Sequence, residues 1–367
     1  MQFFRTLTAA GFIAAAATAP VAAAEVSGAG SSFAYPIYAK WIEAYKKETG
    51  VALDYRSVGS ADGIRQVQSK QITFGASDMP LGARDLEADG LVQFPTVVAG
   101  VVAVVNVEGI KSGDLTLDGP TLAKIFLGEI KRWNDGAIRK LNPNAKLPSQ
   151  AILVVRRSDG SGTTFAFTDY LAKVSADWKS KIGSTVAVEW PTGIGANGNE
   201  GVAASVARTR GAIGYVEYAY ATQHRLTYTK LINKDRQAVA PTTAAFAAAA
   251  ANADWEAAPG FGVILTNQGG AATWPIAAAT FVLMHKQPND PAATAAALKF
   301  FAFRQGRQDG RGARLRADAR QRGRRRAEPL GLADQGSRRQ TGLRHLAVSI
   351  RRGTSDRHGS GPPSLTG

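Results

Sequence analysis

The sequence contains no cysteine in 367 residues, so it builds no disulfide framework, offers no thiolate chemistry and has no cysteine for a lipid anchor. Histidine is scarce. The four present (His224, His285, His345, His358) show no metal-ligand spacing and no evident pairing with a nucleophile. No apolar run is long enough to span a bilayer: Leu7 to Ala19 and Phe94 to Val107 both fall short of about 20 residues. Lysine disappears after residue 303. From Arg304 onward 16 arginines face five acids, so that stretch carries +11 of the formal +15 and the body is only mildly basic. The charge balance of the body therefore gives no argument for nucleic acid.

What is there is a globular composition, 45% hydrophobic, in a chain long enough for two domains. Arg5, the run Leu7 to Ala19 and the small residues Ala22-Ala23-Ala24 read as a secretory signal cut before Glu25, with a membrane anchor as the alternative. An exported chain without cysteine fits a bacterial periplasm. Beyond it, strands alternate with helices. Tyr38, Trp41, Ile42 and Tyr45 lie at helical spacing ahead of Gly50; Val51 to Val58 reads as a strand, Gly59 to Gly63 as a turn, Ile64 to Lys70 as a short helix and Thr73 to Ala76 as a strand. Phe94 to Val107 has the Val and Ala content of a strand buried on both faces. Trp190 to Gly201 reads as a glycine-rich loop, Val202 to Arg208 as a helix, Gly211 to Tyr220 as a strand and Ala244 to Ala251 as a helix. Trp274 to His285 then reads as a buried strand and Ala292 to Phe303 as a helix. This alternation implies the α/β class with parallel sheets.

The most informative stretch is 152–165. The apolar run Ile152 to Val155 leads through Arg156-Arg157-Ser158-Asp159-Gly160 into Ser161-Gly162-Thr163 and a helical pattern. A helix start leaves backbone N–H groups without partners and carries about half a positive charge, so small residues there admit an oxyanion. Arg157 is placed to add a fork of donors, and Asp159 to hold it. The plainer alternative is a capped turn. Ser31-Ser32-Phe33, Gly59-Ser60 and Asp78 stand in similar positions, at strand ends or helix starts. In open α/β sheets such ends converge on ligands.

Together, Gly-Ala-Gly-Ser-Ser-Phe at 28–33, Ser-Val-Gly-Ser at 57–60, Phe-Gly-Ala-Ser-Asp at 74–78, Gln-Phe-Pro-Thr-Val-Val at 93–98, Arg-Arg-Ser-Asp-Gly-Ser-Gly-Thr at 156–163 and Gly-Ala-Ile-Gly-Tyr-Val-Glu-Tyr at 211–218 resemble the periplasmic phosphate-binding proteins of phosphate-specific ABC transporters. The resemblance covers 25–303. It implies a type II periplasmic binding protein fold: two α/β lobes joined by two crossover strands, with inorganic phosphate in the cleft and a membrane permease as partner. The implied divisions are a signal peptide at 1–24, lobe I at 25–98 and 271–303, lobe II at 99–270 and an aberrant arginine-rich tail at 304–367. The implied phosphate ligands are Ser32, Phe33, Ser60, Asp78, Arg157, Ser161, Gly162 and Thr163, with Asp159 behind Arg157. No metal, cofactor or nucleic acid is expected, and the receptor is expected to be a monomer without enzymatic activity.

An ionised Asp78 accepts hydrogen bonds and donates none, so it would welcome a protonated phosphate and repel fully ionised sulfate. Read without the resemblance it is a turn cap. Asp62 stands where relatives carry a small residue, and a carboxylate there weakens anion binding unless it faces solvent. Two rival readings are an exported phosphate-ester hydrolase with Ser161 as nucleophile and a nucleic-acid-binding protein acting through its basic tail. The tail departs from the family, and the loss of lysine points to a shifted reading frame near codon 304; the nucleotide sequence distinguishes that from a genuine basic arm.

Overall fold

A computed structural model describes residues 25–256 and 258–303. The signal-peptide and tail readings lie outside those residues. The chain begins with β1 (Val26–Gly30), α1 (Tyr35–Thr49), β2 (Leu53–Ser57), α2 (Ser60–Gln68), β3 (Phe74–Ser77) and α3 (Ala83–Ala88), followed by the long β4 (Leu91–Val105). Next come β5 (Thr116–Leu117), α4 (Gly119–Phe126), α5 (Gly136–Leu141), β6 (Leu153–Arg157), α6 (Gly162–Val174), α7 (Ala176–Lys181) and β7 (Ile194–Ala196). Then α8 (Gly198–Arg208), β8 (Ala212–Glu217), α9 (Tyr218–Gln223), β9 (Thr227–Tyr228), β10 (Lys230–Ile232), β11 (Ala238–Val239), α10 (Thr243–Ala251) and β12 (Ala277–His285) follow. Residues 291–303 are helical.

The main sheet runs β2-β1-β3-β12-β4-β8-β6-β7. It is mixed, which corrects the expectation of parallel sheets. β1 lies parallel to β2 and β3, and β6 parallel to β7 and β8, while β4 and β12 run antiparallel to their neighbours. Pairing direction between distant segments leaves no local trace, so the strand pattern alone did not reveal it. β4 passes between the two parallel sets: Leu91 to Gly100 pairs with β12, and Val101 to Val105 with β8. The fold is thus two α/β lobes linked through β4 and the return at Ile276, whose carbonyl accepts the Val101 N–H at 2.8 Å. Each lobe has its own aromatic core. Tyr38, Phe74 and Phe94 meet Phe301 from the last helical segment, and Phe167 stacks on Tyr215 with ring centroids 4.2 Å apart.

Three local expectations are also revised. Gly59 to Gly63 is not a turn: α2 begins at Ser60, with Gly59 as its N-cap at φ 92°. The glycine-rich stretch at 190–201 contains β7 and the start of α8. The strand read at 211–220 stops at Glu217, whose carboxylate accepts from the Ala219 N–H and starts α9. Gly50 ends α1 in the left-handed region at φ 75°, as expected.

Gly30 fixes how the first lobe's loops meet. It lies at φ 140°, its carbonyl accepts the N–H groups of Val58 and Gly59, and a Cβ there would fall 2.0 Å from the Ala76 carbonyl oxygen. The collision is with backbone, which cannot rotate away. Gly30→Ala should therefore cost about 3 kcal/mol or more in urea denaturation, and a loss below about 1 kcal/mol would show that β1 and β3 need not approach so closely.

Candidate functional site

The parallel register sets Gly30 beside both Ser57 and Ala76, so the chain leaves β1, β2 and β3 side by side. Ser31, Ser60 and Asp78 follow at once. In the second lobe, Arg157 pairs with Ala196, and the loops after β6 and β7 lead into α6 and α8. The ends of the two parallel sets face each other across a closed cleft. The Ala61 N–H donates to the Gly160 carbonyl at 3.1 Å, and the Gly162 N–H to Ser60 Oγ at 3.1 Å.

Asp78 is 4% exposed. It accepts Ser31 Oγ at 2.7 Å and Thr280 Oγ1 at 2.6 Å on Oδ1, with a further Ser31 contact of 2.8 Å to Oδ2. Burial pushes its carboxyl up to about 6, against the opposing pull of the Thr280 and Ser31 hydroxyls, the Arg157 charge and Ser60. Ser60 Oγ accepts the N–H groups of both Asp78, at 3.2 Å, and Gly162, so one hydroxyl joins the lobes. A Cβ on Gly162 would lie 2.6 Å from Asp78 Oδ2 and 2.5 Å from Ser60 Oγ. Only glycine allows α6 to start against that carboxylate.

Arg157 is 2% exposed, and Asp159 grips it through Nε at 2.7 Å and through a second, shorter contact to its terminal nitrogen. Burial alone would raise the Asp159 carboxyl, and the hydrogen bonds and charge of Arg157 more than reverse that, holding it below the usual range. The Gly198 N–H adds a bond of 3.0 Å to Asp159. Arg157 also reaches Thr163 Oγ1 at 3.4 Å. Ser161 caps α6 by accepting the Thr164 N–H at 3.0 Å.

Ser60, Asp78 and Gly162 thus form one buried hydrogen-bonded group, and Ser32, Thr163 and Arg157, with Asp159 behind it, a second. The two adjoin along the chain at 31–32 and 162–163 to make one buried polar network. Ser161 stands at its edge as a cap. The Phe33 N–H is given to Ser31 Oγ at 3.0 Å and the Gly162 N–H to Ser60, so each reaches a ligand only by exchanging that partner. Asp62 faces outward, half exposed, in an ion pair of 2.9 Å with Arg65. Of the histidines among the described residues, His285 is bonded to the Val67 carbonyl at 2.6 Å, away from Ser161. Those residues contain no cluster of His, Cys, Asp or Glu able to hold a metal ion.

Sequence reading passed over three residues of this network. Thr280 is a lone hydroxyl in the apolar strand β12, and Ser31, which shares the strand-end position of Ser32, is absent from the implied phosphate ligands. Asn199, 0% exposed, joins Ser32 to Thr163. The Asn197-Gly198-Asn199 run ahead of an apolar helix was the one signal that would have found it. A second buried carboxyl, Glu217, is pushed up to about 8 by burial, which the Ala219 N–H partly offsets. Beside the network a polar cavity of about 520 Å³ opens, lined by Ser32, Tyr55, Arg56, Asn199, Glu200 and Tyr220.

Two lobes closing polar loops over a desolvated, donor-rich centre define a solute-binding protein of the periplasmic type, and the model of the PBP superfamily domain matches residues 14–304. The phosphate-binding protein PstS of Pasteurella multocida is 54% identical over 284 residues, 77% of this chain and 83% of that protein. That of Haemophilus influenzae is 50% identical over 292 residues, 79% and 87% of the two chains. The chain belongs to this PstS family. The crystal structure of an ABC-type phosphate transport receptor from Vibrio cholerae shares the fold, with a TM-score of 0.51 at 17% identity over 77% of this chain and 96% of that one.

A carboxyl whose folded pKa exceeds its unfolded value favours folding only while protonated. The contribution of Asp78 is intact below its ordinary 3.8 and is lost as pH rises through about 6. Asp78→Asn should therefore stabilise the ligand-free protein above pH 6, by up to about 3 kcal/mol, and lose that advantage near pH 4. Burial and, after it, the Asp78 charge raise the Glu217 carboxyl to about 8, so the two urea denaturation curves are compared between pH 4 and 6, below the Glu217 range. A difference that does not change with pH would remove the buried charge as its cause.

Proposed function

We propose that this chain is the phosphate receptor of an ABC importer. It works in the periplasm as a monomer, captures inorganic phosphate between a lobe of 25–98 and 271–303 and a lobe of 99–270, and hands it to the membrane permease. The observation that carries the reading is the meeting of Asp78, Arg157 and the start of α6 in one closed cleft. One guanidinium, tied to Asp159, cannot neutralise an anion beside Asp78, so the binding energy comes from dipoles. Hydrogen bonds to a charged ligand contribute roughly 1.5 to 3 kcal/mol each, and half a dozen reach micromolar affinity after the loss of ligand freedom.

Selectivity follows from the one acceptor. A phosphate oxygen that keeps its proton donates to Asp78, whereas sulfate has no proton to give and sets two acceptors against each other. The family favours binding over hydrolysis, and the Ser161 hydroxyl serves as the cap of α6. Calorimetric titration of protein freed of residual ligand should give a Kd of about 1 µM or below for phosphate and no heat with sulfate. Asp78→Asn should narrow that preference at least about tenfold. Equal preference in the parent and the variant would overturn the role of Asp78, and turnover of phosphate esters by the parent would favour the hydrolase.

A further inference from the structure

Asn199 sits in the first turn of α8, and its amide has one orientation that satisfies its neighbours. Oδ1 accepts the Glu217 backbone N–H at 2.9 Å, which makes Nδ2 the donor end. The two Nδ2 protons go to Ser32 Oγ at 2.9 Å and Thr163 Oγ1 at 3.1 Å. Each of those oxygens takes a second N–H. Ser32 Oγ accepts the Asn199 backbone at 3.4 Å, and Thr163 Oγ1 accepts Arg157 at 3.4 Å. A hydroxyl has two lone pairs and one proton, so with both lone pairs engaged each side chain has only its proton left to offer.

We propose that Asn199 is a positioning residue that fixes the Ser32 and Thr163 hydroxyls as donors toward the bound oxyanion. Ser32 belongs to the first lobe, and Asn199 and Thr163 to the second, so the polarity of Ser32 is set only when the cleft closes. Tyr220 supports the same contact by donating to the Ser32 carbonyl at 2.8 Å. A free hydroxyl in an open cleft is donor or acceptor as water dictates. The closed site removes that freedom before the ligand's last contacts form, and the ordering cost is carried by the protein. An oxyanion that needs donors is favoured, and a ligand that must itself donate at these two positions is excluded.

The proposal rests on the phosphate reading of the site, and the two are tested apart. Asn199→Asp preserves the shape and the acceptor for Glu217 but reverses the other end of the side chain. Ser32 and Thr163 then turn their protons to the new carboxylate, away from phosphate. In calorimetric titrations of the full chain with inorganic phosphate, Asn199→Asp should bind about 100-fold more weakly than the parent at pH 8. Its deficit against the parent at pH 5, where Asp78 and Glu217 are protonated in both proteins, should be smaller as the introduced carboxyl gains a proton. Asn199→Ala should cost about tenfold, yet less than about twofold when Ser32 and Thr163 are already Ala and Val, because the amide acts through those hydroxyls. Asn199→Asp within about threefold of the parent at both pH values, or an Asn199→Ala loss that persists in full in the double variant, would overturn the proposal. If thermal melts show that Asn199→Asp does not fold, the Ala and Val cycle decides alone. The parent's own titration reports separately on phosphate binding.

Discussion

A carboxylate buried among donors is the constraint on which the rest of the site depends. Asp78 has little water, its ionised form is disfavoured until pH exceeds about 6, and its Oδ2 lies close to the start of α6. Keeping it ionised requires every nearby group to give hydrogen bonds rather than take them. Ser31 and Thr280 do so directly, and Arg157 supplies charge from a distance at which Asp159 has already claimed its fork. The site is therefore built from oriented dipoles. Its formal charge without ligand is one positive group against two negative ones, which would repel an anion if charge alone decided.

The fold delivers those dipoles from two symmetric directions. Parallel β1, β2 and β3 end together in the first lobe, and parallel β6, β7 and β8 in the second, with β4 and β12 as the shared spine. Contacts across the cleft depend on backbone approach. Glycine at 162 lets the start of α6 touch Asp78, and glycine at 30 lets β1 pass the Ala76 carbonyl. The affinity of the centre is thus coupled to the geometry of loops more than 80 residues apart in sequence, such as Ser60 and Gly162.

Much of this was legible in the sequence where local chemistry is explicit. The Gly50 helix end, the Arg157–Asp159 pair and the capped-turn alternative for Ser161 follow from residue type and spacing, and the family resemblance named phosphate as the expected ligand. What escaped was set by long-range packing. β8 (Ala212–Glu217) flows into aromatic residues with no glycine or proline to mark its end, so the cap at Glu217 has no local signal. Gly59 and Gly63 have the composition of a turn, yet Gly63 is inside α2, where a Cβ would sit 2.5 Å from the Gly30 Cα, so glycine there serves close packing on β1. Thr280 carries no motif and Asn199 only the weak signal of a helix start, and both matter because the sheet order brings them to Asp78 and Ser32. At the other end, the family match stops at residue 304, where lysine gives way to arginine.

The most direct test of the central claim is a crystal structure of the protein with phosphate at neutral pH. The account predicts phosphate inside the closed cleft, one oxygen within hydrogen-bond distance of Asp78 and the others met by Ser32, Ser60, Arg157 and the start of α6. Phosphate bound instead in the polar cavity beside Arg56, with Asp78 held only by Ser31 and Thr280, would contradict it.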